Sequence, residues 1–149
     1  MGAEHLNRFR FYTWKEFETD VKKISKIIGA LDQKFVYIYG LPKGGLPLAV
    51  CLAHRLELRL TTTLRFKEGL SIVWHDEVLV VDDIADTGRA LENYKKLDYL
   101  IATLFWNPKS SFRPDIWIRE KDNRWIIFPW EDREKEMAHA EKIMNPDAN

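Results

Sequence analysis

The chain has 149 residues, 46% of them hydrophobic and 31% charged, a balance that suits one packed domain and excludes a disordered or fibrous chain. Lysine and arginine number 23, as do aspartate and glutamate, so no net field draws the chain to nucleic acid. A single cysteine excludes an intramolecular disulfide, no apolar run reaches the length of a membrane span, and no signal-peptide pattern opens the chain, so a reducing cytoplasm is the expected location.

Phe9, Phe11 and Tyr12 lie close together in a polar opening segment, which makes either an edge strand or a contact surface for a partner subunit. Thr13-Trp14-Lys15-Glu16 is a capping-box pattern and should start a helix. Trp14, Phe17, Val21, Ile24, Ile28 and Leu31 then recur at helical spacing, giving one apolar face through about Ala30. Lys34 to Tyr39 is β-branched and aromatic and reads as the first core strand. It runs into Gly40-Leu41-Pro42-Lys43-Gly44-Gly45-Leu46-Pro47, followed by an expected helix from Leu48 to Leu56. There Ala49, Leu52 and Ala53 suit close packing on a sheet, and Cys51 reads as a small core residue. A strand, a glycine-rich loop and a helix in that order let backbone amides approach a phosphate. No Walker spacing is present, and by itself the loop is equally an ordinary strand–helix turn. A second strand is expected between Leu58 and Phe66, then a turn at 65–69 and a short strand from Ser71 to Trp74.

Val78 to Val81 are four aliphatic residues in a row, the signature of a strand buried on both faces. The run meets two carboxylates, Asp82 and Asp83, expected at or past the strand's carboxyl end, where open α/β sheets bind ligands. Asp86-Thr87-Gly88 follows, then a helix over about 88–97 with Leu91, Tyr94 and Leu97 on one face. A loop ending at a helix N-terminus suits phosphate, although Asp-Thr-Gly is also a common tight turn. Tyr99 to Trp106 should be another core strand, closed by Asn107-Pro108. Asp115 to Ile118 is a further expected strand, 121–123 a turn, and Glu131 to Met144 a charged helix weakly anchored by Trp130, Met137 and Ile143. Alternating strands and helices imply an α/β fold, a parallel central sheet flanked by helices.

Residues 78–88, Val-Leu-Val-Val-Asp-Asp-Ile-Ala-Asp-Thr-Gly, resemble the phosphoribosyl-pyrophosphate (PRPP) motif of the type I phosphoribosyltransferases. The loop at 40–47 resembles that family's pyrophosphate loop. Trp125-Ile126 with Pro129-Trp130-Glu131 resembles the C-terminal hood of the xanthine–guanine and archaeal-type hypoxanthine phosphoribosyltransferases. The resemblance implies a single domain over 1–149 on the type I fold, with a small hood at about 107–131. It implies a cytoplasmic, magnesium-dependent purine phosphoribosyltransferase of purine salvage, forming a nucleotide and pyrophosphate from PRPP and a free base, a 6-oxopurine by preference. The alternative is a regulatory protein that binds PRPP on the same fold without catalysis. A dimer or tetramer is the usual assembly in that family.

Position by position, the resemblance places Lys43, Gly44 and Gly45 on the pyrophosphate, with a non-proline cis peptide at Pro42–Lys43. Asp82 and Asp83 would take the ribose hydroxyls, directly or through Mg2+, and Asp86 would be the general base. Amides of Asp86, Thr87, Gly88, Arg89 and Ala90, with the Thr87 hydroxyl, would hold the 5′-phosphate; Ala90 lacks the hydroxyl common at its position. Trp125 would stack on the purine and Ile126 would contact it through its backbone. Asn107 stands where relatives have a lysine on the purine 6-oxygen, and an asparagine can either donate or accept there. The segment 65–77 is shorter than the loop with which many relatives cover PRPP.

Overall fold

Val78 to Val81 are fully buried at the centre of a five-stranded sheet. The structure is a computed structural model that describes residues 6–64, 66–67, 70–71 and 75–146. The chain divides into two units, residues 20–121 and a smaller one made of residues up to 19 with those from 122 onward.

The larger unit carries β2 (Tyr37–Gly40), α2 (Gly45–Leu56), β3 (Arg59–Thr61), β6 (Val78–Ala85), α3 (Arg89–Lys96), β7 (Leu100–Trp106) and β8 (Ile116–Glu120). Its sheet has the order β3-β2-β6-β7-β8, with every neighbouring pair parallel. From β2 the chain crosses outward to β3, and from β6 it crosses the other way to β7 and β8. The crossover direction therefore reverses between β2 and β6, and the loops after these two strands diverge there. That opens a crevice at the carboxyl edge, the place where such sheets bind ligands. α2 packs on β2 and β6 through Leu48, Ala49 and Leu52. Val78, Val80, Tyr99, Ile101 and Leu91 form a core cluster against which Tyr39 and Tyr94 pack. The second half of α1 (Trp14–Gly29) is tied to β8 by Arg119, whose Nε and Nη2 reach the buried Asp20 carboxylate at 2.6 and 3.1 Å. Between β3 and β6, β4 (Phe66–Lys67) and β5 (Leu70–Ser71) pair antiparallel. Most of the strand expected at Ser71 to Trp74 lies outside the described residues.

In the smaller unit, β1 (Phe9–Phe11) pairs parallel with β9 (Trp125–Ile127), which makes the aromatic opening segment a strand. The capping box forms as the sequence dictates, with Glu16 N–H donating to Thr13 Oγ1 at 3.2 Å and Thr13 N–H to Glu16 Oε2 at 2.9 Å. α4 (Arg133–Met144) starts at Asp132, which accepts from Lys135 N–H, and is anchored by Ala140 and Met137. Ile143 is exposed and anchors nothing, as is Leu97 beyond α3. Among the described residues no helix is long and apolar enough to cross a membrane.

Candidate active site

The acidic pair sits inside the strand rather than past it. β6 continues to Ala85, and Asp82 is still in register with Thr103 of β7. On the other side, pairing with β2 ends at Gly40↔Val81. Beyond Val81 the strand is therefore paired along one edge only, and its other edge opens to the loop after β2. One-sided pairing lets two carboxylates occupy a strand that is otherwise wholly apolar.

The glycine-bearing loop after β2 meets the acidic pair at backbone distance. A Cβ at Gly44 would overlap the Asp83 carboxylate, and at Gly45 it would come within 2.6 Å of the Val81 carbonyl oxygen and 3.2 Å of Asp82 Oδ1. Only glycine fits at either position. The Pro42–Lys43 peptide is cis, and Lys43 is exposed at the loop's tip. Asp83 N–H donates to Asp82 Oδ1 at 2.9 Å, and Ile84 N–H to Asp83 Oδ1 at 2.7 Å, which fixes both side chains. Burial, then the adjacent Asp83 charge, pushes the Asp82 carboxyl up to about 9. Burial and a hydrogen bond with Tyr39 push Tyr94, beside it, up to about 12. A crowded carboxylate pair of this kind favours a cation. No group of three or more His, Cys, Asp or Glu among the described residues could hold one. Magnesium fits such a site, because it keeps waters and takes substrate oxygens beside one or two carboxylates.

After β6 the chain turns at Gly88, whose φ of 83° favours glycine and whose Cβ would overlap Phe112 and come 2.7 Å from Ser110 Oγ. Arg89 then opens α3, whose first amides have no intrahelical acceptor. Ser111 Oγ lies 3.4 Å from the Thr87 carbonyl and 3.2 Å from Glu92 Oε1, so the 107–112 loop closes against the 86–88 turn. These two serines put hydroxyls beside the turn, although Ala90 has none. Sequence reading missed them because the contact joins two loops.

Asp86, Asn107 and Lys121 each immediately follow a strand, β6, β7 and β8, and those strands end in register at Ala85↔Trp106↔Glu120. Asn107 N–H donates to the Ala85 carbonyl at 2.9 Å and Lys121 N–H to the Trp106 carbonyl at 2.8 Å, extending both ladders by one rung. The three side chains converge. Asn107 Nδ2 donates to Asp86 Oδ1 at 2.8 Å, and Lys121 Nζ lies 3.7 Å from the same oxygen. Lys109 N–H donates to Asn107 Oδ1 at 3.0 Å, so the amide carbonyl is engaged and its NH2 faces the carboxylate. Asp86 Oδ2 has no partner among the described residues. Lys121, expected only as part of a turn, is the functional candidate that sequence reading missed; its place one residue past a parallel strand was the available signal.

Trp125 and Ile126 belong to the smaller unit. Trp125 Nε1 donates to Glu136 Oε1 at 3.0 Å, its ring meets His139 edge-on, and Ile126 is buried. Trp130 is a packing residue, stacked on Phe128 at 5.0 Å between centroids and edge-on to Phe17 at 5.3 Å.

No family model matches the chain. It is 27% identical over 143 residues to a xanthine-guanine phosphoribosyltransferase of Desulfotalea psychrophila, covering 85% of this chain and 88% of that one. Among solved structures it resembles a purine phosphoribosyltransferase from Pyrococcus horikoshii, with a TM-score of 0.68, 29% identity and coverage of 84% of this chain and 95% of that one. It also resembles the Helicobacter pylori xanthine-guanine-hypoxanthine phosphoribosyltransferase in fold, with a TM-score of 0.69, 21% identity and coverage of 88% and 99%. The reversed crossover, the glycine loop seated on an acidic pair and these likenesses agree: the chain has the type I phosphoribosyltransferase fold and is similar along most of its length to the xanthine–guanine phosphoribosyltransferases.

Proposed function

We infer that the chain is a purine phosphoribosyltransferase, which transfers the 5-phosphoribosyl group of PRPP to a free 6-oxopurine and releases pyrophosphate. The observation that carries this is the seating of Gly44 and Gly45 directly on Asp83 and Asp82 at the switch point of the sheet. That arrangement brings a glycine loop and two carboxylates to one crevice, which supports a phosphate role for the loop and a hydroxyl role for the carboxylates. A substrate with a pyrophosphate beside ribose hydroxyls matches both.

Departure of pyrophosphate leaves positive character on the anomeric carbon, so the protein's work is positioning and charge stabilisation. Lys43, as an exposed point cation, neutralises the leaving group. Asp82 and Asp83 take the ribose hydroxyls, and with them would hold magnesium, which when bound supplies charge neutralisation for the pyrophosphate. The turn from Asp86 to Ala90, with the Thr87 hydroxyl, holds the 5′-phosphate at the positive end of α3. Asp86 receives the imidazole proton of the base on Oδ2, while Asn107 fixes its Oδ1. Trp125 and Ile126 contact the purine by the family resemblance, and a cytoplasmic homo-oligomer belongs to the same proposal. The test is incubation with magnesium, PRPP and each of xanthine, guanine, hypoxanthine and adenine, with release of pyrophosphate measured. At least one 6-oxopurine should give nucleotide. PRPP binding without product from any base would overturn catalysis in favour of a PRPP-binding regulator.

A further inference from the structure

We propose that Lys121 is the residue that selects the base at its 6-position, supplying from the end of β8 the cation that Asn107 does not supply from the end of β7. The proposal rests on the purine phosphoribosyltransferase function inferred above. Its support is a covered ammonium with nothing to bond. The Lys121 side chain is 14% exposed, and its Nζ lies 3.7 Å from Asp86 Oδ1, too far for a hydrogen bond. Among the described residues Nζ makes no hydrogen bond, so all three of its donors await an acceptor.

The acceptor follows from the neighbours. N7 and the 6-oxygen of a 6-oxopurine lie side by side on one edge of the ring. A base whose imidazole edge meets Asp86 therefore turns its 6-substituent toward the groups that flank that carboxylate. Those groups are the Asn107 NH2 and the Lys121 ammonium, and both only donate, because the Asn107 carbonyl is held by Lys109 N–H. A carbonyl at the 6-position satisfies a donor there, and lysine reads that oxygen of guanine in the same way in nucleic acids. An exocyclic amine would oppose donor to donor and leave the ammonium without a hydrogen-bond acceptor in a covered place. The pair thus favours hypoxanthine, guanine or xanthine over adenine.

Steady-state kinetics of Lys121→Gln test this. kcat/KM for hypoxanthine should fall by about 10- to 100-fold, the weight of one charge-assisted hydrogen bond. The KM for PRPP should stay within about threefold and any turnover of adenine should not fall. A second variant, Asn107→Lys combined with Lys121→Gln, moves the cation back to the β7 end and should recover most of the loss. That recovery also separates base recognition from damage to folding. A hypoxanthine kcat/KM within about threefold of the unsubstituted protein, an equal rise in the KM for PRPP, or no recovery in the double variant would overturn the proposal. No turnover of any base by the unsubstituted protein would overturn it together with the enzymatic function, whereas turnover with an unmoved preference would overturn it alone.

Discussion

The two edges of the five-stranded sheet are built from the same residue types and end in opposite states. At the amino edge a cavity of about 270 Å³ is lined by Gln33, Asp76, Lys95, Asp98, Tyr99, Leu100 and Asp115. There Lys95, Asp115 and Gln33 are engaged locally. Lys95 pairs with Asp115, Asp115 Oδ2 accepts from Ile101 N–H at 2.8 Å, and Gln33 Nε2 donates to the Asp76 carbonyl at 2.7 Å. At the carboxyl edge the groups are held on one side and left open on the other: Asp86 by its Oδ1 alone, Lys121 by an ion pair without a hydrogen bond. The amino edge fastens strands, whereas the carboxyl edge keeps valences for something else.

The sharpest way to break this contrast is at Asp86. Asp86→Asn removes the proposed proton acceptor while keeping the bulk of the side chain, and should lower kcat by about 10²- to 10⁴-fold. PRPP affinity, measured by calorimetry, should be retained; unchanged turnover would remove Asp86 as the base. Gly44→Ala comes next, because its methyl overlaps the Asp83 carboxylate and must displace it. PRPP binding should weaken by roughly 10- to 100-fold, the range expected when one carbon is forced into a filled place. At the amino edge, Asp115→Ala should do the reverse. Stability to urea should fall by about 1–2 kcal/mol, with the exposed Lys95 pair contributing little, while turnover per folded molecule stays unchanged.

The remaining test concerns Asp82 and pH. In the folded protein its carboxyl keeps its proton up to about pH 9, against an ordinary value of 3.8. Between those limits the folded state binds more protons than the unfolded one, so this group makes stability fall as pH rises through the window. Asp82→Asn should flatten that slope, and melting temperatures of the two proteins at pH 5 and pH 9 check it. The variant should be the more stable at pH 9. Loading the native protein with magnesium and PRPP below pH 9 should release protons, which an unbuffered pH trace would show.

Much of this was legible in the residues themselves. The aliphatic run at 78–81 and the capping box at 13–16 lie where the sequence puts them, and the cis peptide at Pro42–Lys43 lies where the family resemblance implied it. Local patterns announce the first two because a few consecutive residues determine them. Strand β6 runs further than expected because its length depends on β7 continuing alongside after β2 has stopped, which no local pattern records. The same holds for Lys121. Nothing in Glu120-Lys121-Asp122 marks it as more than a turn, and register between three strands brings it to Asp86. The openness of the Asn107 amide, free in sequence to donate or accept, is closed by a backbone N–H two residues on.

That register has a consequence for how such a protein can change over generations. Three side chains standing one residue beyond Ala85, Trp106 and Glu120 form a row in which the second and third seats face the same carboxylate. A cation can be lost from one seat after it has been gained at the other, through an ancestor that carried both. Neither substitution touches the glycine loop or the acidic pair, so the proposed sugar half of the site would be insulated from drift in the proposed base half.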